Sequence, residues 1–213
     1  REVRLGIALI FSSIFFSLPI ESQETTQNPA INQSDNNILK SFAWRGIGPI
    51  GQGGRVDDIA VSKDNPHVFF VGFATAGLWK TTNNGITFKP VFDTHPTASV
   101  GAVAISGSDA NIVWVGTGES NNRQSSSFGA GVYLSTDGGE TFELVGLEET
   151  QSISRIVTHP SDPNVAWVAA NGHLFGPNVE RGVYKTSNKG NSWEKVLYVD
   201  ENTGATDLII DSS

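Results

Sequence analysis

Ser135-Thr136-Asp137-Gly138-Gly139-Glu140-Thr141-Phe142 is one of three copies of a single eight-residue frame. Upstream the frame reads Thr81-Thr82-Asn83-Asn84-Gly85-Ile86-Thr87-Phe88, and downstream Thr186-Ser187-Asn188-Lys189-Gly190-Asn191-Ser192-Trp193. A hydroxyl residue stands first, Asp or Asn third, Gly fifth, Thr or Ser seventh and an aromatic eighth. Each copy follows a Gly-aliphatic-aromatic lead-in: Gly77-Leu78-Trp79, Gly131-Val132-Tyr133 and Gly182-Val183-Tyr184. The fifth-position glycines, Gly85, Gly139 and Gly190, lie 54 and then 51 residues apart. A fixed period of that length marks a repeat architecture.

The frame reads as a hairpin turn. A short Asp or Asn side chain (Asn83, Asp137, Asn188) accepts hydrogen bonds from nearby backbone N–H groups and folds the chain over. Gly85, Gly139 and Gly190 take the positive φ that other residues resist. Thr81, Ser135 and Thr186, with Thr87, Thr141 and Ser192, tie the turn down. Phe88, Phe142 and Trp193 are expected to plug the core. The turn satisfies itself, so its Asp or Asn is not a catalytic candidate.

Working outward, each unit opens with an apolar strand: Asp58–Val61, Ala102–Ile105 and Arg155–Thr158. Turn residues follow, then short, nearly all-apolar runs at Val68–Val71, Ile112–Val115 and Val165–Val168. Such runs read as strands buried on both faces. The lead-in forms a third strand and the residues after the frame a fourth. Four antiparallel strands per unit of about 50 residues make a propeller blade. The fold class is therefore all-β, a β-propeller with blades at approximately 55–98, 99–148 and 151–199. A fourth begins at 204–213 with the strand Ala205–Ile210. Propellers close with about four to eight blades, so the expectation is an incomplete propeller whose remaining C-terminal blades partner these.

The N-terminus is different. Arg1 and Arg4 flank the start of an apolar run from Leu5 to Ile20. A basic start, a short apolar segment and small residues near its end predict a signal peptide over 1–20 and a secreted or periplasmic protein. An uncleaved anchor is the alternative. Residues 21–40 are rich in Gln, Asn, Ser and Thr and read as a disordered polar linker. The folded part, 41–213, is long enough for one sizeable core. A net charge of −8 argues against a nucleic-acid partner, and no membrane contact is expected beyond the signal segment. Cysteine is absent, which removes disulfides, thiolate metal sites and thiol nucleophiles. Gly51-Gln52-Gly53-Gly54 lacks the Lys and the helix of a phosphate loop, and Asp200-Glu201-Asn202 lacks the spacing of a calcium loop. No cofactor and no metal are predicted.

The octapeptide resembles the Asp-box, or bacterial-neuraminidase (BNR) repeat, of sialidases, sortilin-type propellers and certain xyloglucan-active glycosidases. Trp44-Arg45-Gly46-Ile47-Gly48-Pro49, Gly53-Gly54-Arg55-Val56, Gly116-Thr117-Gly118-Glu119 and Gly172-His173-Leu174-Phe175-Gly176-Pro177 resemble large secreted bacterial propellers. Those are grouped with the sortilin N-terminal domain or with BNR-repeat glycosyl hydrolases. The resemblance implies either a binding propeller or a hydrolase using two carboxyl groups. In the xyloglucan-active relatives a catalytic Asp precedes the segment aligned with Gly77-Leu78-Trp79, and Ala74 stands there in this chain. The Arg-Ile-Pro opening of sialidases is likewise replaced by Arg45-Gly46-Ile47-Gly48-Pro49.

Propeller ligands approach the channel mouth, near the start of each innermost strand. Equivalent residues there are Asp58, Ala102, Arg155 and Asp207. Arg55 flanks them, and two irregular loops carry Glu119 with Arg123, and His173 with Arg181. Polar loops on a rigid scaffold suit a glycan or peptide ligand, whereas solvated loops with local ion pairs are the plainer reading. The expected function is a ligand-binding propeller holding a glycan or peptide at the channel mouth. The alternative is a glycoside hydrolase of BNR type whose carboxylates are completed by further C-terminal blades.

Overall fold

The computed structural model describes residues 54–121 and 125–211. The expected signal peptide, the linker, the Trp44–Pro49 stretch, Gly51–Gly53 and Arg123 lie outside the described residues. Among the described residues twelve strands form three antiparallel sheets of four, each in the order of the chain. The first sheet holds β1 (Val56–Val61), β2 (Phe69–Phe73), β3 (Gly77–Thr81) and β4 (Lys89–Pro90). The second holds β5 (Val100–Ile105), β6 (Val113–Thr117), β7 (Val132–Ser135) and β8 (Glu143–Leu144). The third holds β9 (Ile153–Thr158), β10 (Ala166–Ala170), β11 (Gly182–Thr186) and β12 (Glu194–Leu197). Glu148–Thr150 makes one 3-10 turn, and no α-helix occurs among the described residues.

Each sheet is one blade. The innermost strands β1, β5 and β9 contact one another in sequence, and the sheets stack face to face through two apolar clusters. Phe70, Leu78, Val103, Val115 and Phe142 fill the seam between the first two blades. Trp114, Leu134, Ile153, Val168 and Tyr184 fill the next. β6 is buried along its whole length, as a nearly all-apolar strand between two neighbours should be. β4 and β8 shrink to two residues each and β12 is exposed throughout. An outermost strand pairs on one side only, and little burial holds it in the ladder. His95 closes the first seam: its ring stacks on Phe92 at 4.0 Å, and its two nitrogens lie 3.2 Å from the carbonyls of Phe92 and Phe142.

The octapeptide forms the turn between the third and fourth strands of every blade. In the second blade the Gly139 N–H donates to Ser135 Oγ at 2.8 Å, and the N–H groups of Glu140 and Thr141 both donate to Asp137 Oδ1 at 2.9 Å. Asn83 and Asn188 play the same part, accepting the N–H of Thr87 and Ser192 at 3.0 Å. Their amides donate onward to the Thr87 and Ser192 hydroxyls at 2.9 Å. Gly85, Gly139 and Gly190 have φ of 82°, 83° and 82°. A Cβ on Gly139 would lie 2.5 Å from the Phe70 ring, and one on Gly190 2.7 Å from Val145. The turn thus docks on the preceding blade, and only a bare glycine fits there.

The aromatics differ from expectation in one place. Phe142 is buried and Trp193 half-buried, but Phe88 is 39% exposed and packs edge-on to Phe69 of its own blade at 5.8 Å. Among the described residues no blade precedes the first to cover it. The expected strand Ala205–Ile210 also differs, since no ladder forms there. Its backbone still docks on the third blade: the Ala205 N–H donates to the Ala170 carbonyl at 3.2 Å, and Ser154 Oγ donates to the Ala205 carbonyl at 2.7 Å. A strand exists only beside a partner, and none runs along its other side among the described residues.

Burial opposes ionisation of Asp137, but bonds from the Thr141 hydroxyl and N–H, the Ser135 hydroxyl and the Glu140 N–H outweigh it. They hold the carboxyl well below the usual range. A carboxyl depressed in the folded state stabilises the fold above its unfolded value, and that contribution is lost as pH falls through the folded value. Asp137→Ala is therefore expected to cost about 1 kcal/mol near neutral pH, as loss of a side-chain cap does. Urea melts of both forms should converge as the pH is lowered towards about 2. Asp137→Asn should be nearly silent, because Asn83 and Asn188 make the same turn.

Candidate functional site

Each innermost strand begins with the same irregularity. The register places Asp58 opposite Gly72, Ala102 opposite Gly116 and Arg155 opposite Ala169, with a bulge just before at Asp57, Gly101 and Ser154. A bulge sets two residues against one and re-aims side chains. It gathers charge at the end of the blades where the inner strands start and where the loops from second to third strands lie.

Two ion-paired groups result. In the first, Arg55 Nε donates to Glu119 Oε1 at 3.0 Å and its Nη2 binds the same oxygen. The Glu119 side chain is wholly buried, whereas that of Arg55 is one-third exposed. The Glu119 main chain is pinned as well: its N–H donates to Ser99 Oγ at 3.0 Å, and its carbonyl accepts Ser152 Oγ at 3.1 Å. Asp57 belongs to this group, with Oδ1 accepting the Asn121 amide at 3.2 Å. Asp57 Oδ2 and Glu119 Oε2 are both buried and have no hydrogen-bond donor among the described residues. Burial first of all pushes the Asp57 carboxyl up. The Asn121 bond and the Arg55 charge oppose this, while the charges of Glu119 and Asp58 reinforce it.

In the second group Arg155 joins the first blade to the residues beyond the third. Its Nε donates to Asp207 Oδ1 at 2.9 Å and its Nη1 to Asp58 Oδ1 at 3.4 Å. Asp58 Oδ2 accepts the Val103 N–H at 3.0 Å, clipping the first two blades together. The Arg155 guanidinium, followed by the Leu208 N–H, holds the Asp207 carboxyl below the usual carboxylate range. Arg155 remains 40% exposed and Asp207 71%, so this group is open to solvent.

Of the residues singled out in the sequence, the structure brings Arg55 to Glu119, and Arg155 to Asp58 and Asp207. Ala102 is buried at the equivalent position in the second blade. Arg181 and His173 stand apart. Arg181 donates to the carbonyls of Asn171 at 2.7 Å and His173 at 2.8 Å, shaping its own loop. His173 Nε2 donates to the Glu149 carbonyl at 2.9 Å and ties that loop to the blade connection. Asp57 was not singled out. The doublet Asp57-Asp58 ahead of an apolar strand was the available signal, but side chains of adjacent strand residues normally point to opposite faces. Only the bulge puts both to use at one rim. The described residues show no group of three or more His, Cys, Asp or Glu able to hold a metal ion.

Three four-stranded sheets about a charged axial rim define a β-propeller. The chain is similar to an ancestral GH74 enzyme, with a TM-score of 0.55 and 25% identity over 72% of this chain and 19% of that one. It is similar in fold to YCF48 bound to D1 peptide, with a TM-score of 0.50 and 17% identity over 71% of this chain and 42% of that one. The chain therefore spans about a fifth of the first and less than half of the second. No protein-family model matches the sequence, and no curated protein matches it.

Proposed function

We propose that the chain is part of a secreted or periplasmic ligand-binding propeller of the Asp-box (BNR) type, related to the sortilin-like group, with a glycan or peptide held at the axial rim. The observation that carries this reading is Arg155, an incompletely covered guanidinium held between two carboxylates at the mouth of the blades. A guanidinium fixed in orientation and still open to solvent can donate to ligand hydroxyls, carboxylates or peptide carbonyls. The fold likeness to a propeller bound to a peptide agrees with such a site.

A glycoside hydrolase is the second reading, favoured by the likeness to the GH74 enzyme. Against it stands Ala74, at the position where the resemblance implies a catalytic Asp: the residue is fully buried and its N–H donates to the Arg55 carbonyl at 2.9 Å. No carboxylate stands there. A panel of glycans and peptides, scored for both retention and cleavage, separates the two. Retention without cleavage, weakened at least about tenfold (1.4 kcal/mol) by Arg155→Ala in a folded variant, is the expected result. Sugar release unaffected by that change would replace binding with hydrolysis.

A further inference from the structure

We propose that Asp57 and Glu119 form a receptor for a primary ammonium group, supplied by a lysine side chain of a peptide ligand. The inference rests on the rim-binding reading and names the ligand chemistry for the part of the rim beside Arg55.

Two buried carboxylate oxygens without a donor among the described residues, one on Asp57 and one on Glu119, are the starting observation. Native proteins rarely leave such atoms unpaired, because each forfeits its hydration with nothing in return. Glu119 makes the case sharply: its side chain has no exposure, one oxygen is taken by Arg55 and the other faces no donor. The charges point the same way. Arg155 is shared by Asp58 and Asp207, and Arg55 is committed to Glu119. Among the described residues Asp57 is left with a neutral amide, so the Arg55–Asp57–Glu119 group sets two carboxylates against one guanidinium.

The geometry selects the kind of cation. A guanidinium can also bridge two carboxylates, as Arg155 does, but its flat, broad fork is less suited than a compact ammonium to two oxygens that are both buried. An ammonium is a compact charge whose three N–H groups can serve oxygens from different residues. A divalent metal such as calcium asks for about six to eight oxygens, against the two donor-free ones here. Depth then selects the carrier. Both oxygens are buried, and a lysine ammonium travels on a thin four-carbon stem. The ammonium of an amino sugar sits on the ring itself and cannot reach as far. Arrival of a cation also reverses the penalty on ionised Asp57. Affinity should accordingly fall as pH drops through the raised Asp57 range.

The test titrates the whole chain, by NMR amide shifts, with the capped pentapeptide Gly-Gly-Lys-Gly-Gly. The same peptide with Nε-acetyl-lysine, the same with arginine, and a glucosamine tetramer are run beside it. The lysine peptide is expected to bind at least about tenfold (1.4 kcal/mol) more tightly than the other two peptides. Asp57→Asn, which disturbs no buried ion pair, should remove that preference. Glu119→Gln should do so as well if it folds. No binding of the lysine peptide, equal binding of its acetylated form, or an unchanged preference in Asp57→Asn would overturn the proposal, the last by placing the lysine elsewhere. Preferential binding of the glucosamine tetramer would overturn the peptide assignment. Arg155-sensitive retention of neutral ligands alongside failure of the lysine peptide would sink this inference and leave the rim-binding reading standing. Lysine binding with Arg155→Ala silent across the panel would do the reverse.

Discussion

Arg55→Ala is expected to lower the unfolding free energy by about 3–5 kcal/mol, the cost of leaving a buried charge without its partner. For a domain of this size that corresponds to a fall in Tm of roughly 6–20 °C. The effect comes from Glu119 rather than from Arg55. The guanidinium is partly in water already, while the carboxylate it serves is wholly buried and has no other donor residue among those described. The double variant Arg55→Ala/Glu119→Gln should accordingly recover part of the loss, because a neutral amide carries a smaller desolvation cost. Thermal melts of the parent, both single variants and the double variant measure this coupling directly. A double variant no more stable than Arg55→Ala would show that the loss lies in packing of the arginine stem and not in the stranded charge.

Gly118→Ala is expected to be comparably damaging, at about 3 kcal/mol or more, for a purely steric reason. Gly118 sits at φ +90°, and a Cβ there would fall 1.9 Å from the Gln151 carbonyl oxygen and 2.7 Å from the Gly129 nitrogen. Both obstacles are backbone, so no side chain can swing aside. The residue also immediately precedes Glu119, and relief of the clash would drag that carboxylate away from Arg55. Gly176→Ala is the control. It has φ +79° with nothing within 4 Å of the added carbon, so only backbone strain of about 1 kcal/mol applies. A difference in urea midpoints between the two variants isolates the contribution of the seam. Equal midpoints would show that the blades can slide apart at no cost.

The blades themselves were readable before any coordinates. Apolar runs of strand length punctuated by Asp-Pro and Asn-Pro turns, together with a turn octapeptide recurring at a fixed period, place the second strands, the lead-ins and the turns within a residue or two. Those signals are local: an Asn or Asp folding its own turn needs no partner elsewhere in the chain. Prediction weakened where the outcome depends on a neighbouring blade. Phe88 and Phe142 occupy the same place in the octapeptide, yet only Phe142 has a described blade beside it to be buried against. Ala205–Ile210 has the composition of an inner strand and has no ladder partner among the described residues.

The candidate site divides along the same line. Spacing within the repeat places Asp58, Arg155 and Asp207 at equivalent positions, and the sequence alone therefore determined that charge gathers at one end of the propeller. It determined equally that the octapeptides form self-satisfied turns at the opposite end. Tertiary structure decided the pairings. Arg55 reaches Glu119 across 64 residues of chain and Arg155 reaches Asp58 across 97. It also drew Arg181 and His173 into holding their own loop, and brought Asp57 into the site through a bulge that exchanges the ordinary in-out alternation for a shared rim. A repeat specifies what each blade is made of, because its hydrogen bonds close within about 50 residues. Which charges meet depends on how the blades pack around the axis, and that is set by the fit of one blade's side chains into the next.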